Sequence, residues 1–221
     1  MAALIGAPSG RALCIGVEAE SDALTFAGIA RQNGFDPPVL LLAEEATRAA
    51  VRARIDELAA VSEPGDIVLI TFSGHGGRTR LRDRPVPRDP VGLWQLYDGS
   101  LNDEQLKSDL GRFRAGVRLL VVSDNCSGGI PSLRASYLTE SLCASVLVIT
   151  SCREDQYADG AGLPGHFAAV LQRTWSSGGF TGAYSQFHEA LCRAMPDYQK
   201  PDYYRVGPPN AAFEAQRPFT I

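Results

Sequence analysis

Two glycine-framed motifs contain the residues best suited to chemistry, a histidine and a cysteine. His75 stands in the sequence SGHGG, and Cys126 stands in SDNCSGG, 51 residues later. Each motif directly follows an apolar run, at 67–73 and 117–123. Because ligands bind at the carboxyl ends of strands in open α/β sheets, two neighbouring strands would bring both side chains to one cleft. A thiolate is a strong nucleophile and an imidazole can ionise it or protonate a leaving amine, so the pair predicts a cysteine hydrolase.

The glycines beside these two residues predict an oxyanion hole. Gly76 has no Cβ and leaves its backbone N–H uncovered. The N–H groups of Gly76 and Cys126 could hold the negatively charged oxygen of a tetrahedral intermediate. A plainer interpretation stays open for each reactive residue. His75 could be an ordinary turn residue, and Cys126 a small buried side chain at a strand end, since free cysteines are commonly buried.

The remaining histidines and cysteines are weaker candidates. His166 is predicted at a helix start and His188 inside an amphipathic helix, where structural or solvent-facing roles are favoured. The other four cysteines are at positions 14, 143, 152 and 192, and no CxxC spacing occurs. The sequence therefore gives no support for a structural zinc site, and we expect no metal ligands.

The apolar runs predict a mainly parallel sheet. The runs at 67–73, 117–123 and 145–151 are rich in β-branched residues and show little alternation, which is typical of strands buried on both faces. Two further runs lie at 12–17 and 39–42. Between the runs, helical periodicity predicts helices at 22–33, 47–58 (capped by Thr47), from Ser100 or Asn102 onward, 167–175 and 185–195. Strands that alternate with helices predict an α/β fold, a three-layer sandwich in which helices flank the sheet.

Two stretches are predicted to lack regular structure. Residues 78–90 are polar and contain three prolines, so we expect a surface loop after the third strand. Residues 197–221 contain four prolines and show little periodicity. Neither stretch is a persuasive linker and no internal repeat occurs, so the sequence predicts a single domain over 1–221.

Composition and charge argue against several classes of protein. The chain has 221 residues, of which 45% are hydrophobic and 21% charged, and its net charge of −4 lacks the basic field that nucleic acids or anionic lipids attract. No secretory signal and no apolar run of about 20 residues occurs, so we expect no membrane span. Five cysteines form an odd, sparse set typical of reduced proteins, and we expect a cytoplasmic location.

Five blocks of the sequence resemble the caspase-like cysteine peptidases, most of all the metacaspase and orthocaspase group. In chain order they are IGVEAESDALTFAGIARQNGF, SGHGG, LYDGSLNDEQL, SDNCSGG and TSCREDQYAD. The resemblance runs from about residue 12 to 218, nearly the whole chain, and it implies the caspase-like version of the predicted fold. In caspases, too, the histidine lies about 50 residues before the cysteine.

The resemblance implies roles for five residues. His75 matches the catalytic histidine, Cys126 the nucleophile, and Gly76 the residue whose amide helps to form the oxyanion hole. Metacaspases cleave after Arg or Lys, and Asp22 and Asp124 match the acidic residues that bind this side chain. A desolvated carboxylate pair suits a guanidinium group, which makes charge-assisted, partly bidentate hydrogen bonds. Two alternatives stay open: Asp22 as a helix N-cap, and Asp124 as a structural partner of the cysteine loop.

The motifs depart from the family pattern in two places. The family usually has Asp-Ser-Cys after the fourth strand, whereas this chain has Asp-Asn-Cys-Ser-Gly-Gly. Many metacaspases are activated by calcium through clustered aspartates; the sequence Asp103-Glu104 resembles one part of that cluster, and Asp89 or Asp98 could serve another. The often acidic position seven residues after the cysteine is Leu133. Calcium takes about six to eight oxygen ligands. The sequence supplies no such set, so we expect no required cofactor and leave calcium activation as an open alternative.

The sequence thus predicts a cysteine endopeptidase that cleaves protein or peptide substrates after Arg or Lys through a Cys–His dyad. A noncatalytic caspase-like binding or scaffold module is the main alternative, because a fold does not guarantee activity. A cysteine hydrolase or transferase acting on a small amide is a third. The oligomeric state, the natural substrate and self-processing stay open.

Overall fold

The computed structural model describes residues 7–79, 91–125, 142–153, 156 and 165–221. Its strands are β1 (Gly10–Gly16), β2 (Val39–Leu42), β3 (Ile67–Ser73), β4 (Gly76–Thr79), β5 (Val91–Leu96), β6 (Gly99–Asn102), β7 (Arg118–Asp124), β8 (Ser145–Thr150) and β9 (Asp202–Val206). Its α-helices are α1 (Glu20–Gln32), α2 (Arg48–Val61), α3 (Asp103–Leu110), α4 (His166–Trp175), α5 (Tyr184–Ala194) and α6 (Ala211–Ala215). Short 3-10 turns lie at Ala43–Glu45 and Ser176–Gly178.

Six strands form the central sheet in the order β2-β1-β3-β7-β8-β9. Neighbouring strands are parallel from β2 to β8, and β9 runs antiparallel to β8. The five predicted strands are all confirmed, with ends that shift by two residues at most. The mainly parallel sheet predicted from the sequence is therefore the observed one.

The sheet separates two hydrophobic clusters, and alternate residues of each strand point into one or the other. In β3, Val68, Ile70 and Phe72 pack with α2, α3 and β5, whereas Ile67 and Leu69 pack with α1, α4 and α5. All seven residues of β3 are buried, which explains why the apolar run is continuous. Each cluster contains one buried tryptophan: Trp94 stacks on Phe72 in the first, and Trp175 packs against Phe219 in the second. The predicted three-layer sandwich is confirmed.

The helix starts follow capping chemistry. Thr47 caps α2 by accepting a hydrogen bond from the N–H of Ala50, as predicted. Asn102, one of the two predicted start residues, forms a capping box with Gln105 at the start of α3. All five predicted helices are present, and none of the helices within the described residues is long and apolar enough to cross a membrane.

The predictions of irregular structure were wrong in part. Arg78 and Thr79, predicted to begin a surface loop, belong to β4, which forms a second, three-stranded antiparallel sheet in the order β4-β5-β6. Residues 80–90 lie outside the described part of the chain. The region predicted to be irregular after residue 197 contains β9 and α6. These elements are four to six residues long, too short to show a periodicity in sequence.

Candidate active site

The candidate site lies where three adjacent parallel strands end. In the ladder register, Gly16 at the end of β1 is paired with Ser73 of β3, and Ser73 is paired with Asp124 of β7. The segments that leave these strands therefore start side by side at one edge of the sheet. His75 follows β3, and Cys126 is the second residue after Asp124. Cys126 itself lies outside the described residues.

Two strands hold the backbone on either side of His75. Gly74 donates a hydrogen bond to the carbonyl oxygen of Asp124 over 3.1 Å, and the carbonyl oxygen of His75 accepts one from Gln95 over 2.9 Å. A Cβ on Gly74 would lie 2.7 Å from the carbonyl oxygen of Val17, so only glycine fits this close approach of β1 and β3. The imidazole itself is 69% exposed, which leaves it accessible to a ligand.

Gly76 is the first residue of β4 and lies opposite Trp94 of β5. Hydrogen-bonded and non-hydrogen-bonded pairs alternate along an antiparallel ladder. Because His75 accepts a bond from Gln95, the next pair, Gly76 with Trp94, is a non-hydrogen-bonded one. The N–H of Gly76 therefore points away from β5. This orientation suits a donor for an oxyanion.

The residue before Cys126 is fixed by hydrogen bonds. Asn125 is 3% exposed, and its side-chain amide donates to the carbonyl oxygen of Leu93 over 3.3 Å. Its backbone carbonyl accepts a hydrogen bond from the hydroxyl of Ser151 over 3.0 Å. Its side-chain oxygen accepts one from Ser123 over 3.0 Å. The chain therefore leaves β7 in a defined direction immediately before the candidate nucleophile.

Trp94 of β5 connects the end of β7 to the second sheet. Its indole N–H donates to the hydroxyl oxygen of Ser123 over 2.8 Å, and its ring stacks on Phe72 with 4.9 Å between ring centroids. Both Trp94 and Ser123 are buried. The ends of β3 and β7, which lead to His75 and Asn125, are thus packed against the same indole.

Asp22 lies in the first turn of α1 and is 6% exposed. The N-cap of α1 is Ala19, so the helix-cap alternative for Asp22 is not observed. The Asp22 carboxyl instead accepts hydrogen bonds from the hydroxyl of Ser21 and from the N–H of Gly165, the N-cap residue of α4. Burial raises the pKa of Asp22, and these two hydrogen bonds oppose the rise.

Asp124 interacts electrostatically with Asp22. Burial and, to a smaller extent, the negative charge of Asp22 raise the pKa of Asp124, and a hydrogen bond with Ser151 opposes the rise; the resulting pKa is about 7. Ser151 follows β8, so this bond does not test the alternative that Asp124 bonds to the cysteine loop, which from Cys126 onward lies outside the described residues. Two carboxyl groups thus share a poorly hydrated site, where a cation that neutralises them would be bound strongly.

The other candidate residues have ordinary environments. His188 lies 3.0 Å from the carbonyl oxygen of Pro201 and 3.2 Å from Cys192, inside the packing of α5. Cys14 is buried in β1, and burial raises the pKa of its thiol to about 11. Cys152 is buried and Cys143 is exposed.

The acidic residues considered for calcium make other contacts. Asp103 accepts a hydrogen bond from the N–H of Gly92, and Asp98 accepts one from the N–H of Arg48 at the start of α2. Asp89 and Leu133 lie outside the described residues. Among the residues that are described, no group of three or more His, Cys, Asp or Glu side chains could hold a metal ion. Calcium activation stays an open alternative.

Glu18 is a site residue that was not predicted from the sequence. This residue follows β1, and its carboxylate oxygen lies 3.1 Å from Nε2 of His75. Its position two residues after a strand end, at the predicted ligand-binding edge, is the signal that could have identified it.

The sequence of this chain matches one protein family over most of its length. The model of the caspase domain family, Peptidase_C14, matches residues 12–208. The chain belongs to the caspase domain family. This family consists of cysteine peptidases. The site described above therefore lies in a caspase-like, metacaspase-type fold.

Two solved structures are similar to this caspase domain. Protein GSU0716 from Geobacter sulfurreducens is 32% identical, with a TM-score of 0.84, over 97% of this chain and 99% of that one. Caspase-1 from Spodoptera frugiperda is 14% identical, with a TM-score of 0.61, over 90% of this chain and 86% of that one. The similarity to caspase-1 shows a common fold.

A curated relative is the protein named inactive metacaspase-4 from Trypanosoma brucei brucei. It is 30% identical over 143 residues, which are 52% of this chain and 39% of that protein. The match to this chain thus spans about two fifths of the relative's length.

Proposed function

We propose that this chain is a cysteine endopeptidase that hydrolyses peptide bonds after Arg or Lys, with Cys126 as the nucleophile and His75 as the acid and base. One observation supports the proposal most. His75, Asp22 and Asp124 lie around the ends of three adjacent strands, and Cys126 comes two residues after Asp124 in the sequence. His75 and Cys126 would form the nucleophilic site, and Asp22 and Asp124 would form an adjacent pocket for a cationic side chain.

The proposed reaction passes through a thioester. The Cys126 thiolate attacks the substrate carbonyl, and the N–H groups of Cys126 and Gly76 stabilise the oxygen that becomes negatively charged. His75 then protonates the departing amine, which leaves an acyl-enzyme. In the second half, His75 removes a proton from water, and the hydroxide releases the carboxylic acid and restores the thiol.

The proposed specificity comes from the two acids. A guanidinium group between Asp22 and Asp124 would replace the repulsion of two carboxylates by charge-assisted hydrogen bonds. Arginine matches carboxylates with a planar set of donors, whereas lysine offers a single ammonium group. We therefore expect Arg to be preferred over Lys, and both over Asp.

A second function is favoured by one of the comparisons. The metacaspase relative carries the word inactive in its name. A noncatalytic caspase-like module would bind partner proteins through the same fold without using Cys126. Such a module has no need for paired acids beside the histidine, which is why we prefer the peptidase.

The test is a peptide cleavage assay with matched cysteine variants. Fluorogenic peptides that differ only in Arg, Lys, citrulline or Asp at the cleaved position are incubated with the full chain, with and without calcium. We expect turnover of the Arg and Lys peptides, and its loss in Cys126→Ala and His75→Ala. Cys143→Ala, which changes an exposed cysteine, is the control and should keep full activity.

Each other outcome excludes part of the proposal. Preference for Asp would refute the acidic pocket and leave the dyad standing. Hydrolysis of small amides alone would favour the small-amide hydrolase. Turnover that survives in Cys126→Ala would refute this cysteine as the nucleophile. No turnover by the wild-type chain, together with partner binding unchanged in Cys126→Ala, would favour the noncatalytic module.

A further inference from the structure

Glu18 and His75 form a contact between two segments that leave neighbouring strands. Glu18 follows β1 and His75 follows β3, and their side chains meet with Nε2 of His75 3.1 Å from a carboxylate oxygen of Glu18. At this distance the imidazole N–H donates a hydrogen bond to the carboxylate. A carboxylate that accepts from one ring nitrogen fixes both the tautomer and the orientation of the ring.

The backbone of Glu18 is held in a conformation that glutamate seldom adopts. Its φ angle is +58°, in the left-handed region. For a non-glycine residue this conformation is less favourable than the right-handed helical or extended one. The adjacent bonds oppose that cost: Glu18 donates its N–H to the carboxylate of Glu20 over 3.1 Å, and Val17 donates to the carbonyl oxygen of Ser73 over 3.0 Å. Strain of this kind accumulates at functional sites, where it aims a side chain.

We propose that Glu18 is a positioning residue for His75, an inference that rests on the peptidase function proposed above. Glu18 accepts the hydrogen bond from Nε2–H, so Nδ1 is the nitrogen that exchanges protons during the reaction. When Nδ1 takes the thiol proton, both ring nitrogens carry a proton and the imidazolium faces the Glu18 carboxylate. When Nδ1 gives its proton to the departing amine, the ring returns to the neutral Nε2–H tautomer.

The exposure of the pair limits when this contact matters. His75 and Glu18 are 69% and 75% exposed, and exposed ion pairs contribute little to the stability of a folded protein. A peptide that covers the strand ends would remove water from both side chains and strengthen the hydrogen bond. Glu18 should therefore affect turnover of bound substrate and leave the folding free energy almost unchanged.

The first test measures the tautomer of His75 directly and needs no activity. The chain has three histidines, so its ring nitrogens give few NMR signals in a 15N-labelled sample. His166→Gln and His188→Gln identify the other two rings. We expect neutral His75 to be the Nε2–H tautomer in the wild type and a mixture of both tautomers in Glu18→Ala. An unchanged tautomer pattern in Glu18→Ala would overturn the inference.

The second test separates kcat from KM. With an Arg peptide, we expect Glu18→Ala to lower kcat by about tenfold, the scale of one charge-assisted hydrogen bond, with KM unchanged. Glu18→Gln keeps an oxygen acceptor and should recover part of this loss. Glu63→Gln is the matched control, because Glu63 is also exposed and ion-paired but lies before β3, at the opposite edge of the sheet. A rise in KM with constant kcat would instead make Glu18 a substrate-binding residue and refute the positioning role.

Glu18→Gly distinguishes positioning from structural support. Glycine adopts a positive φ without strain, so this variant should be at least as stable as the wild type in thermal unfolding. It should still lose kcat as Glu18→Ala does. Loss of stability with unchanged kcat would overturn the inference. Absence of turnover in the wild type would refute the peptidase function, and the NMR comparison would still decide whether Glu18 orients His75.

Discussion

At the scale of single residues, the pair Asp22 and Asp124 is the most unusual feature of the site. Loss of hydration raises the pKa of both carboxyls, and that of Asp124 is about 7. Two other buried acids of this chain have a basic partner: Asp109 is paired with Arg52, and Asp66 with Arg11. Two acids that repel each other are costly unless a cation joins them, so their proximity supports the proposed pocket for Arg or Lys.

This pair predicts that arginine binding depends on pH. Below pH 7, Asp124 is protonated, and binding of a guanidinium group must release that proton. Affinity should therefore rise by up to about tenfold per pH unit as pH increases toward about 7, and level off above it. Calorimetry of an arginine peptide binding to Cys126→Ala measures this directly, without turnover.

Asp124→Asn is the control for that prediction. It removes the titrating group, so binding should be weaker at neutral pH and the slope below about pH 7 should disappear. A slope that persists in Asp124→Asn would assign the titration to another group and refute the role of Asp124 in it.

At the scale of elements, the start of α4 contacts Asp22, one of the two acids of the proposed pocket. Gly165 has a φ angle of +86° and donates its N–H to Asp22. A Cβ at this position would lie 3.0 Å from a carboxylate oxygen of Asp22. Any side chain here would press against the Asp22 carboxylate.

We predict that Gly165→Ala raises KM for Arg peptides by several-fold. Gly178→Ala is a matched control, since Gly178 has a nearly equal φ of +83° and its nearest neighbour, an atom of Trp175, would be 3.7 Å from the new Cβ. Backbone strain should cost both variants on the order of 1 kcal/mol of unfolding free energy. Only Gly165→Ala should change KM; equal kinetics in the two variants would refute the contact with Asp22.

The ends of β3 and β7 contain two buried serines that should respond differently to substitution. Ser123 accepts a hydrogen bond from Trp94 and donates one to Asn125, whereas the hydroxyl of Ser73 has no partner among the described residues. Ser123→Ala leaves the indole N–H of Trp94 unpaired, which should cost about 1–3 kcal/mol in urea unfolding. Ser73→Ala should cost less than half as much. Equal losses would contradict the bonded arrangement.

The central strands could be predicted because strands buried on both faces consist almost entirely of apolar residues. In β3 and β8 every residue is buried, so each strand is a continuous apolar run bounded by polar residues. The sequence did not directly predict that β3 and β7 are neighbours. Because both were expected to be parallel strands, their carboxyl ends were expected at one edge of the sheet, and the observed pairing places the ends that lead to His75 and Asp124 there.

The second sheet was not predicted for two reasons. β4 pairs with β5 across a long intervening segment, and the short hairpin between β5 and β6, in which Leu96 pairs with Gly99, was overlooked although Asp98-Gly99 is a local turn signal. β4 has the sequence GGRT and β6 has GSLN, both polar and glycine-rich, and they become strands through pairing with β5. Glu18 was missed for a related reason. Its contact with His75 spans 57 residues and depends on how two loops turn, which no local pattern encodes.

At the scale of the whole molecule, the last residues close the second hydrophobic cluster. Phe213 and Phe219 are 1% and 0% exposed and form edge-to-face contacts with Tyr184, Trp175 and Phe187. Burial also raises the pKa of Tyr184, whose hydroxyl accepts a hydrogen bond from the N–H of Phe219. This aromatic group covers α4 and α5 on the side of the sheet that contains α1.

We predict that Phe219→Ala lowers the free energy of unfolding by about 3–5 kcal/mol, because it leaves a cavity in a closed cluster. Tyr198→Ala is the control: Tyr198 is 55% exposed, and its loss should cost less than about 0.5 kcal/mol. Urea denaturation measures both. A loss below about 1 kcal/mol in Phe219→Ala would show that the C-terminal segment does not close this cluster.

The two tryptophans give this chain an optical probe on each side of the sheet. Trp94 stacks beside the strand ends that lead to His75 and Asn125, and Trp175 lies in the opposite cluster. In Trp175→Phe the remaining fluorescence would report on the cluster that contains Trp94, and in Trp94→Phe on the cluster that contains Trp175. Ligand binding that changes the emission of the first variant and leaves the second unaltered would locate the response on one face of the protein.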